Sequence, residues 1–322
     1  MANWGTDASQ WPNPALLIFH RAFGSSGDLY YKTSSPSGLS INDAPHNKTP
    51  TVHMSCDPSA VQFGNKLYVF HQDVGLRGEL WYAVMDRTRQ YDSELGYWEA
   101  DRKVPGTGMS AGPGAVVYQG KIWVFHQGGG ENGELWGNVF DGVQWRGDVR
   151  VGNVKMTSGP SAVVYREKLY VFHQGGGSDG SLWYSVFDGQ TWAPDTQVSS
   201  TRMSAGPSAV VWKGAIYVFH KGDGVGGELR YNVFHGKGWG GDVKVKDARV
   251  NCGPSAVVFG NNLHVFYRQP GWLGNEPEDA DEGNGGWLMF NVLSTSGWAG
   301  NVPVERMSIG VVNSPAAVVF TG

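Results

Sequence analysis

Short apolar runs, separated by polar and glycine-rich turns, recur along the whole chain. In one copy these runs are Ser161 to Tyr165, Lys168 to His173, Ser181 to Phe187 and Thr191 to Val198. Runs of this length, rich in Val, Tyr and Phe and bounded by Gly, Asp and Pro, predict four antiparallel β-strands. Asp188-Gly189 falls where a tight turn should join the third and fourth strands, because both residue types tolerate positive φ. The unit is therefore predicted to be one propeller blade.

The unit repeats with a period of 47 residues, which is typical of stacked supersecondary modules. Its plainest copies start at Pro113, Pro160, Pro207 and Pro254, and two further copies start at Pro58 and Pro315. The wider intervals contain two insertions, Met85 to Lys103 and Gln269 to Gly286. We therefore predict one domain spanning 1–322 that contains six blades. The first blade lies near 14–57 together with 315–322, and the others lie near 58–112, 113–159, 160–206, 207–253 and 254–314.

The two ends of the chain predict how the blades close into a ring. Pro14 to His20 has the pattern of a second strand, and Pro315 to Gly322 has the pattern of a first strand and its turn. Joined end to end, they reproduce the pattern of Pro207 to His220. We expect an all-β, six-bladed propeller of four-stranded antiparallel blades. Its C-terminal strand should complete the N-terminal blade and so leave no exposed sheet edge.

Composition and charge exclude several classes of function. The chain is 40% apolar and contains 48 glycines, as short strands and tight turns require. Its net charge of -4 argues against nucleic acid as a partner, because phosphate binding needs clustered Lys and Arg. The chain contains no apolar stretch of about 18 residues, so membrane insertion is not predicted. The start MANWGTDASQ lacks the features of a signal peptide, so we expect a cytoplasmic or non-classically secreted protein.

Other recurrent residues are predicted to be structural. Cys56 and Cys252 occupy a position where other blades carry small residues, on blades too far apart for a disulfide. A tryptophan recurs in the predicted fourth strand of five copies, and its invariance among these copies favours packing between blades. Aspartates recur two or three residues later and could ligate Ca²⁺, although single carboxylates without a D-x-D pattern are more typical of caps. These residues are Trp98, Trp145, Trp192, Trp239 and Trp298, and Asp148, Asp195 and Asp242. No cofactor or metal is predicted.

The most repeated polar signal lies at the end of the second strand, where five of the nine histidines stand. A glycine-rich loop follows, and then a Glu-Leu-Trp tripeptide or a variant of it. Hairpin pairing should bring the histidine beside the tryptophan, and an aromatic face beside hydrogen-bonding groups suits a sugar. Repetition of weak sites would give avidity. The predicted carbohydrate-binding residues are His20, Tyr30, His71, Gln72, Glu79, Trp81, His126, Gln127, Glu134, Trp136, His173, Gln174, Trp183, Tyr184, His220, Glu228 and Tyr231.

Three alternatives remain open at this point. The histidines could tether loops and the tryptophans fill space between blades. A single-site hydrolase such as a sialidase could use one pocket, but Ser178 to Trp183 is one residue short of an Asp-box, and the middle blades do not diverge to supply a carboxylate pair. The protein could also be a scaffold that grips a protein on one face. The acidic run within Gln269 to Gly286 is either a solvated loop or a cation or partner site.

The motif SxGPSAVVxxxxLYVFHQGxGxxGELWYxVFDGxxW, which extends here from Ser158 to Trp192 with small departures, resembles the repeat of β-propeller lectins. The chain is similar to the bacterial family of the Photorhabdus lectin, which implies repeated sites for L-fucose and O-methylated sugars. That family is typically seven-bladed, whereas six blades are counted here. Six is also the number in fungal fucose lectins resembling the Aleuria protein, whose sites use Arg, Glu and Trp between blades.

The resemblance implies a non-enzymatic, multivalent lectin with hemagglutinin activity and glycans as partners. The sequence leaves open whether the sites lie within or between blades, how many of them function, and which sugar they bind. It also leaves the oligomeric state open, a homo-oligomer included.

Overall fold

The computed structural model describes residues 14–21, 27–34, 47–75, 78–89, 97–130, 133–178, 180–224, 226–269, 287–304 and 313–321. These residues form twenty-six β-strands. The described ranges contain no helix that is long and apolar enough to cross a membrane. The central part of the first insertion and nearly all of the second, with its acidic residues, lie outside the described residues.

The strands follow the chain blade by blade. The first blade contains β1 (Ala15–Arg21), β2 (Asp28–Thr33) and β3 (Asn47–His53), and the second contains β4 (Ser59–Phe63), β5 (Lys66–Gln72), β6 (Glu79–Asp86), β7 (Tyr97–Trp98) and β8 (Arg102–Gly108). The third contains β9 (Gly114–Tyr118), β10 (Lys121–Gln127), β11 (Glu134–Phe140) and β12 (Val149–Lys155), and the fourth contains β13 (Ser161–Tyr165), β14 (Lys168–Gln174), β15 (Ser181–Phe187) and β16 (Thr196–Arg202).

The fifth blade contains β17 (Ser208–Trp212), β18 (Ala215–Lys221), β19 (Glu228–Phe234) and β20 (Val243–Arg249). The sixth contains β21 (Ser255–Phe259), β22 (Asn262–Gln269), β23 (Trp287–Ser294), β24 (Gly297–Trp298) and β25 (Val302–Pro303). The last strand, β26 (Ala316–Phe320), returns to the first blade. All strand pairs are antiparallel, and six separate sheets result, which confirms the predicted six-bladed fold.

The C-terminal strand closes the ring as predicted. β26 is the innermost strand of the first blade, with Phe320 opposite Ala15 and Ala316 opposite Phe19. A polar seam on its other side joins it to the second blade. The Gln62 amide donates to the Thr321 carbonyl at 2.6 Å and accepts the Thr321 N–H at 2.8 Å. The ring is therefore held by hydrogen bonds on both sides of β26.

Small residues crowd the axis, where the six innermost strands meet. The Ser161 hydroxyl accepts the backbone N–H of Ala209 in the next blade at 2.9 Å, and three other blade boundaries have the same bond. The axial cavity measures about 160 Å³, and its lining of Pro, Gly, Ser and Ala includes one carboxylate, Asp57. This carboxylate accepts the Ser314 N–H at 2.8 Å, which adds a second polar contact to the closing seam.

Aromatic side chains fill the space between blades. The Trp145 ring lies 5.9 Å from Phe70 and 5.7 Å from Tyr82 of the preceding blade, and its centroid is 5.1 Å from Phe140 of its own blade. Trp98, Trp192, Trp239 and Trp298 each pack in the same way on a phenylalanine of the preceding blade. The recurrent tryptophans are thus part of the inter-blade core, as the sequence indicated.

The fourth strands begin later than the sequence predicted. Thr191 to Val198 was expected to be the fourth strand of its blade, but β16 begins at Thr196 and Trp192 makes only an isolated bridge with Phe187. The Asp188 carboxylate accepts the N–H of Thr191 at 2.8 Å and so extends the turn. Pro194 then interrupts the ladder because it has no N–H to donate.

Candidate functional site between neighbouring blades

Two equivalent open pockets lie at blade boundaries. The blade 3 pocket measures about 500 Å³ and lies between the second and third blades, and the blade 5 pocket measures about 450 Å³ and lies between the fourth and fifth. Both volumes suit a small ligand such as a sugar ring. The blade 3 pocket is lined by Gly106 and Gly108 of β8 and by Gly128, Gly129, Gly130, Gly133, Glu134, Trp136 and Asp148. The blade 5 pocket is lined by Ser200 and Arg202 of β16 and by Gly222, Asp223, Gly224, Gly226, Glu228, Arg230 and Asp242.

One wall of each pocket is a bulge in the fourth strand of the preceding blade. In the fourth blade, Gln197 lies opposite Trp183 and Arg202 lies opposite Ser181, so β16 has extra residues between these two pairs. Ser200, within this bulge, has a φ of 59°, which is unusual for a residue other than glycine. Bulges of this kind redirect side chains, and strained backbone is often found at binding sites. The bulge therefore directs the fourth strand toward the pocket of the next blade.

The floor of the blade 3 pocket is an indole resting on glycine backbone. A Cβ atom added to Gly128 would lie 2.8 Å from the Trp136 Nε1 atom, too close for any side chain there. Gly175 has the same relation to Trp183, at 2.7 Å. The glycine after the second strand is thus required so that the indole can pack against the loop, where Trp136 also lines the pocket.

A carboxylate beside the indole is held by a basic residue on the neighbouring strand. Arg150 Nη1 lies 2.9 Å from Glu134 Oε1, and Lys103–Glu79 and Lys244–Glu228 are the corresponding ion pairs. In the fourth blade the pair is neutral, since Gln197 donates to the Ser181 hydroxyl at 2.8 Å. In the fourth blade the acid and the base are thus both replaced by neutral residues that still bond to each other, which indicates that the two positions act as one unit.

The recurrent histidines lie behind the pockets and do not face them. His20, His71, His126, His173 and His220 all have 0% exposure. His126 lies opposite Trp136 in the ladder, and its Nε2 atom is 3.2 Å from Asp148 Oδ2. The corresponding distances are 3.1 Å for His71–Asp101, 3.1 Å for His173–Asp195 and 2.8 Å for His220–Asp242. The buried imidazole therefore positions an aspartate, and it is the aspartate that lines the described pockets.

These aspartates are the site residues that sequence reasoning missed, because they were assigned to caps or to Ca²⁺. The available signal was a constant separation of 22 residues between histidine and aspartate in the fourth and fifth blades. In the sixth blade both members change together: Tyr267 donates its hydroxyl to Asn301 Oδ1 at 2.7 Å. Met289 there replaces the tryptophan, as the ladder places it opposite Tyr267. The sixth blade thus differs from blades 2 to 5 at three positions of the site.

Several other predicted residues also lie away from the pockets. Gln127 Nε2 donates to the Met156 carbonyl at 2.6 Å and ties the loop to the fourth strand; Gln72 and Gln174 do the same in their blades. The rings of Tyr184 and Tyr231 pack 5.8 Å from Trp239 and Trp298 in the inter-blade core. Tyr30 lies opposite His20 and so occupies the position of the platform tryptophan in the first blade. The sugar-binding role of each of these residues stays a prediction.

Hydrogen bonds keep the acids of the blade 5 pocket charged. Burial works against ionisation of Asp242, but bonds from His220 and Arg230 hold the pKa of this carboxyl below its usual range. Lys244 and Arg230 likewise lower the pKa of Glu228. By contrast, burial raises the pKa of the Cys56 thiol, and it raises that of Cys252 to about 12. Both thiols thus stay protonated at neutral pH, whereas the carboxylates of Asp242 and Glu228 stay charged and can accept hydrogen bonds.

Among the described residues, no three His, Cys, Asp or Glu side chains come together in a cation-binding arrangement.

Solved structures similar to this chain include two fungal propellers. One is AofleA from Arthrobotrys oligospora, at 12% identity over 98% of this chain and 92% of that chain, with a TM-score of 0.60. Another is a variant of the Aleuria aurantia lectin in complex with Fucα1-6GlcNAc, at 14% identity over 91% of this chain and 94% of that chain, with a TM-score of 0.61. The chain shares their fold. At such low identity, the likeness extends to the six-bladed architecture alone.

A glycosidase propeller is also similar in fold. Xyloglucan PUL GH43B from Bacteroides ovatus matches at 16% identity over 81% of this chain and 56% of that chain, with a TM-score of 0.51. No protein-family model matches the sequence, and no curated protein matches it either.

Proposed function

We propose that the protein is a non-enzymatic, multivalent carbohydrate-binding lectin whose sites lie between neighbouring blades. The observation that carries the proposal is the blade 3 pocket, in which the Trp136 ring lies beside the carboxylates of Glu134 and Asp148. The C–H face of a sugar would rest on the indole, while its hydroxyls donate to the two carboxylates. The glycine loop Gly128 to Gly130 allows the sugar to approach the backbone closely.

Repetition supports binding at several places on one ring. Trp81 and Trp183 lie opposite a buried histidine, as Trp136 does, and each of these histidines holds an aspartate. A group of similar weak sites on one rigid ring gives avidity for a surface that displays many copies of a sugar.

For the tryptophan sites we propose L-fucose or an O-methylated monosaccharide. The repeat motif resembles that of the Photorhabdus lectin family, and the similar Aleuria aurantia structures are complexes with Fucα1-6GlcNAc and α-methyl-L-fucoside. A physical argument agrees with this choice. A methyl group on a sugar adds apolar area that can be buried against an indole face, at about 0.8 kcal/mol per buried CH₂-sized group.

Hydrolysis is less well supported than binding. A glycosidase commonly uses two carboxyl groups that flank the scissile bond. The axial cavity contains Asp57 as the one carboxylate of its described lining, and this side chain is engaged with Ser314 of the closing seam. In the blade pockets the carboxylates recur with their basic partners around the ring, as repeated binding requires and a single reaction centre does not.

Agglutination tests the proposal directly. The purified protein should agglutinate cells or beads that display fucosylated glycans, and free methyl α-L-fucoside should inhibit this. Release of reducing sugar from the same glycans, without agglutination, would contradict the proposal and favour a hydrolase.

A further inference from the structure

The blade 5 pocket differs from the blade 3 pocket at two positions that line both. Arg230 occupies the place of Trp136, since both residues lie opposite the buried histidine of their blade. Arg202 occupies the place of Gly108, since each directly precedes a methionine that forms an isolated β-bridge with the glycine loop of the next blade. These bridges are Met203–Gly222 and Met109–Gly128. The blade 5 pocket therefore has two guanidinium groups where the blade 3 pocket has an aromatic face and an open wall.

The Arg230 guanidinium is fixed in orientation by two acids of the pocket. Its Nε atom donates to Asp242 Oδ2 at 2.7 Å, and its Nη1 atom donates to Glu228 Oε2 at 2.8 Å. Its Nη2 atom also donates to the Asp242 carbonyl oxygen at 3.4 Å, which leaves two of the five guanidinium N–H groups, one on each Nη atom, without a partner among the described residues. Lys244 also pairs with Glu228, so the charge of this acid is shared between two bases. Arg230 thus keeps both its charge and free donors.

Arg202 faces the same pocket from the bulge of β16 and is exposed. Its side chain takes part in none of the ion pairs or hydrogen bonds among the described residues. The remaining charged residue of the lining is Asp223, an exposed carboxylate in the glycine loop. Lys221, at the end of β18, adds a further positive charge beside the loop. The described lining thus has two bases against three acids, whereas that of the blade 3 pocket has the acids Glu134 and Asp148 and no base, so the blade 5 pocket is the less negative of the two and alone offers guanidinium donors.

We infer that the blade 5 pocket binds a sugar that carries a carboxylate, such as a hexuronic acid, with the carboxylate held between Arg202 and Arg230. Planar guanidinium groups match carboxylates in geometry and charge, and such charge-assisted hydrogen bonds are stronger than neutral ones. This inference rests on the proposed function, because it names the sugar class of one pocket. One ring would then bind two kinds of sugar, neutral at the tryptophan pockets and acidic at the blade 5 pocket.

The test is titration calorimetry of the full chain with methyl β-D-glucuronide and, separately, with methyl β-D-glucoside. The two probes differ only at the carboxylate. We expect one glucuronide site per chain, with no comparable glucoside site, and weaker binding as salt is added because salt screens exposed charges. Arg202→Gly, which introduces the residue of the equivalent position beside the blade 3 pocket, should weaken glucuronide binding at least about tenfold.

Two further variants serve as controls. Lys155 is an exposed base at the equivalent position of the third blade, opposite Glu134 in the ladder and outside the lining of the blade 5 pocket, so Lys155→Gly should leave glucuronide binding unchanged. Arg230→Trp should abolish the glucuronide site. If Arg230→Trp does not fold, as judged by its melting transition, Arg202→Gly decides the question alone, because the Arg202 side chain makes no ion pair or hydrogen bond with the residues that the structure describes.

Three results would overturn the inference. These are equal affinity for glucuronide and glucoside, displacement of glucuronide by acetate at equal concentration, and unchanged binding in Arg202→Gly. If methyl α-L-fucoside binds at several sites and glucuronide does not bind, the inference is wrong and the proposed function stands. If neither sugar binds, both are wrong.

Discussion

Trp136→Ala and Trp145→Ala should impair different properties, sugar binding and stability respectively, although both indoles lie at the boundary between the second and third blades. The Trp136 ring packs against Gly128 and lines the pocket, whereas the Trp145 ring is packed among Phe70, Tyr82 and Phe140. Removing Trp136 should therefore impair binding, and removing Trp145 should impair folding.

The magnitudes follow from what each ring contacts. Truncating a core tryptophan costs about 3 to 5 kcal/mol, and since Trp145 is half-buried we expect about 3 kcal/mol, or a melting temperature lower by roughly 5 °C. Trp136→Ala should cost about 1 kcal/mol of stability or less. Its effect on binding is larger. A sugar that covers about 50 Å² of the indole face gains about 1.3 kcal/mol, so the affinity of that site should fall roughly tenfold.

Calorimetry supplies both readouts. Differential scanning calorimetry measures the melting temperature of each variant, and isothermal titration with methyl α-L-fucoside counts the sites. A Trp136→Ala protein that melts well below the wild type while keeping every sugar site would refute the assignment of this ring to the pocket. A Trp145→Ala protein as stable as the wild type would refute its assignment to the core.

Three further predictions concern the floor of the pocket, a buried histidine and the closing strand. Gly128→Ala should reduce sugar binding by displacing Trp136, whereas Gly238→Ala, in a turn of the fifth blade outside the lining of both pockets, should not, because a Cβ there meets no atom within 4 Å. Burial lowers the pKa of His264 to about 4, so stability should be complete above pH 6.5 and fall by about 3 kcal/mol as the pH drops toward 4. His264→Tyr, the residue of the second, fourth and fifth blades, should remove this loss. Deletion of 315–322 should expose an edge strand and cause aggregation or loss of folding.

Each of these predictions can fail in a distinct way. Equal sugar affinities for the two glycine variants would show that the indole does not depend on Gly128. Urea unfolding curves of His264→Tyr that keep the acid dependence of the wild type would assign that dependence to other groups. A monomeric deletion protein with an undiminished melting transition would mean that β26 does not hold the ring closed.

The fold could be predicted because its determinants are local and repeated. The apolar runs, the Asp188-Gly189 turn and the complementary chain ends each specify a strand, a hairpin or a pairing within one blade. The tryptophan at Trp145 and its equivalents was assigned to the core because it recurs unchanged in five of the six blades. The position of the fourth strand could not be read in this way, since a turn stabilised by Asp188 and the break at Pro194 separate Trp192 from that strand.

The site was harder to predict because it depends on which face of a strand remains open. Strands packed between blades are covered on both faces, so the alternation of residues gives no indication of the exposed side. His126 and Trp136 were correctly paired across the hairpin, but the sequence did not show that the histidine is buried behind Asp148. The opposite wall, with Gly106 and Gly108, comes from another blade, and no spacing within one repeat reveals it.

The most direct test of the central claim is the number of monosaccharide sites per chain, measured by isothermal titration of the wild type and of Trp136→Ala with methyl α-L-fucoside or the best sugar from a glycan array. Our account predicts several weak sites in the wild type and one fewer in the variant, with the ring still folded. A single site that is unaffected by Trp136→Ala, or no sugar binding at all, would contradict it.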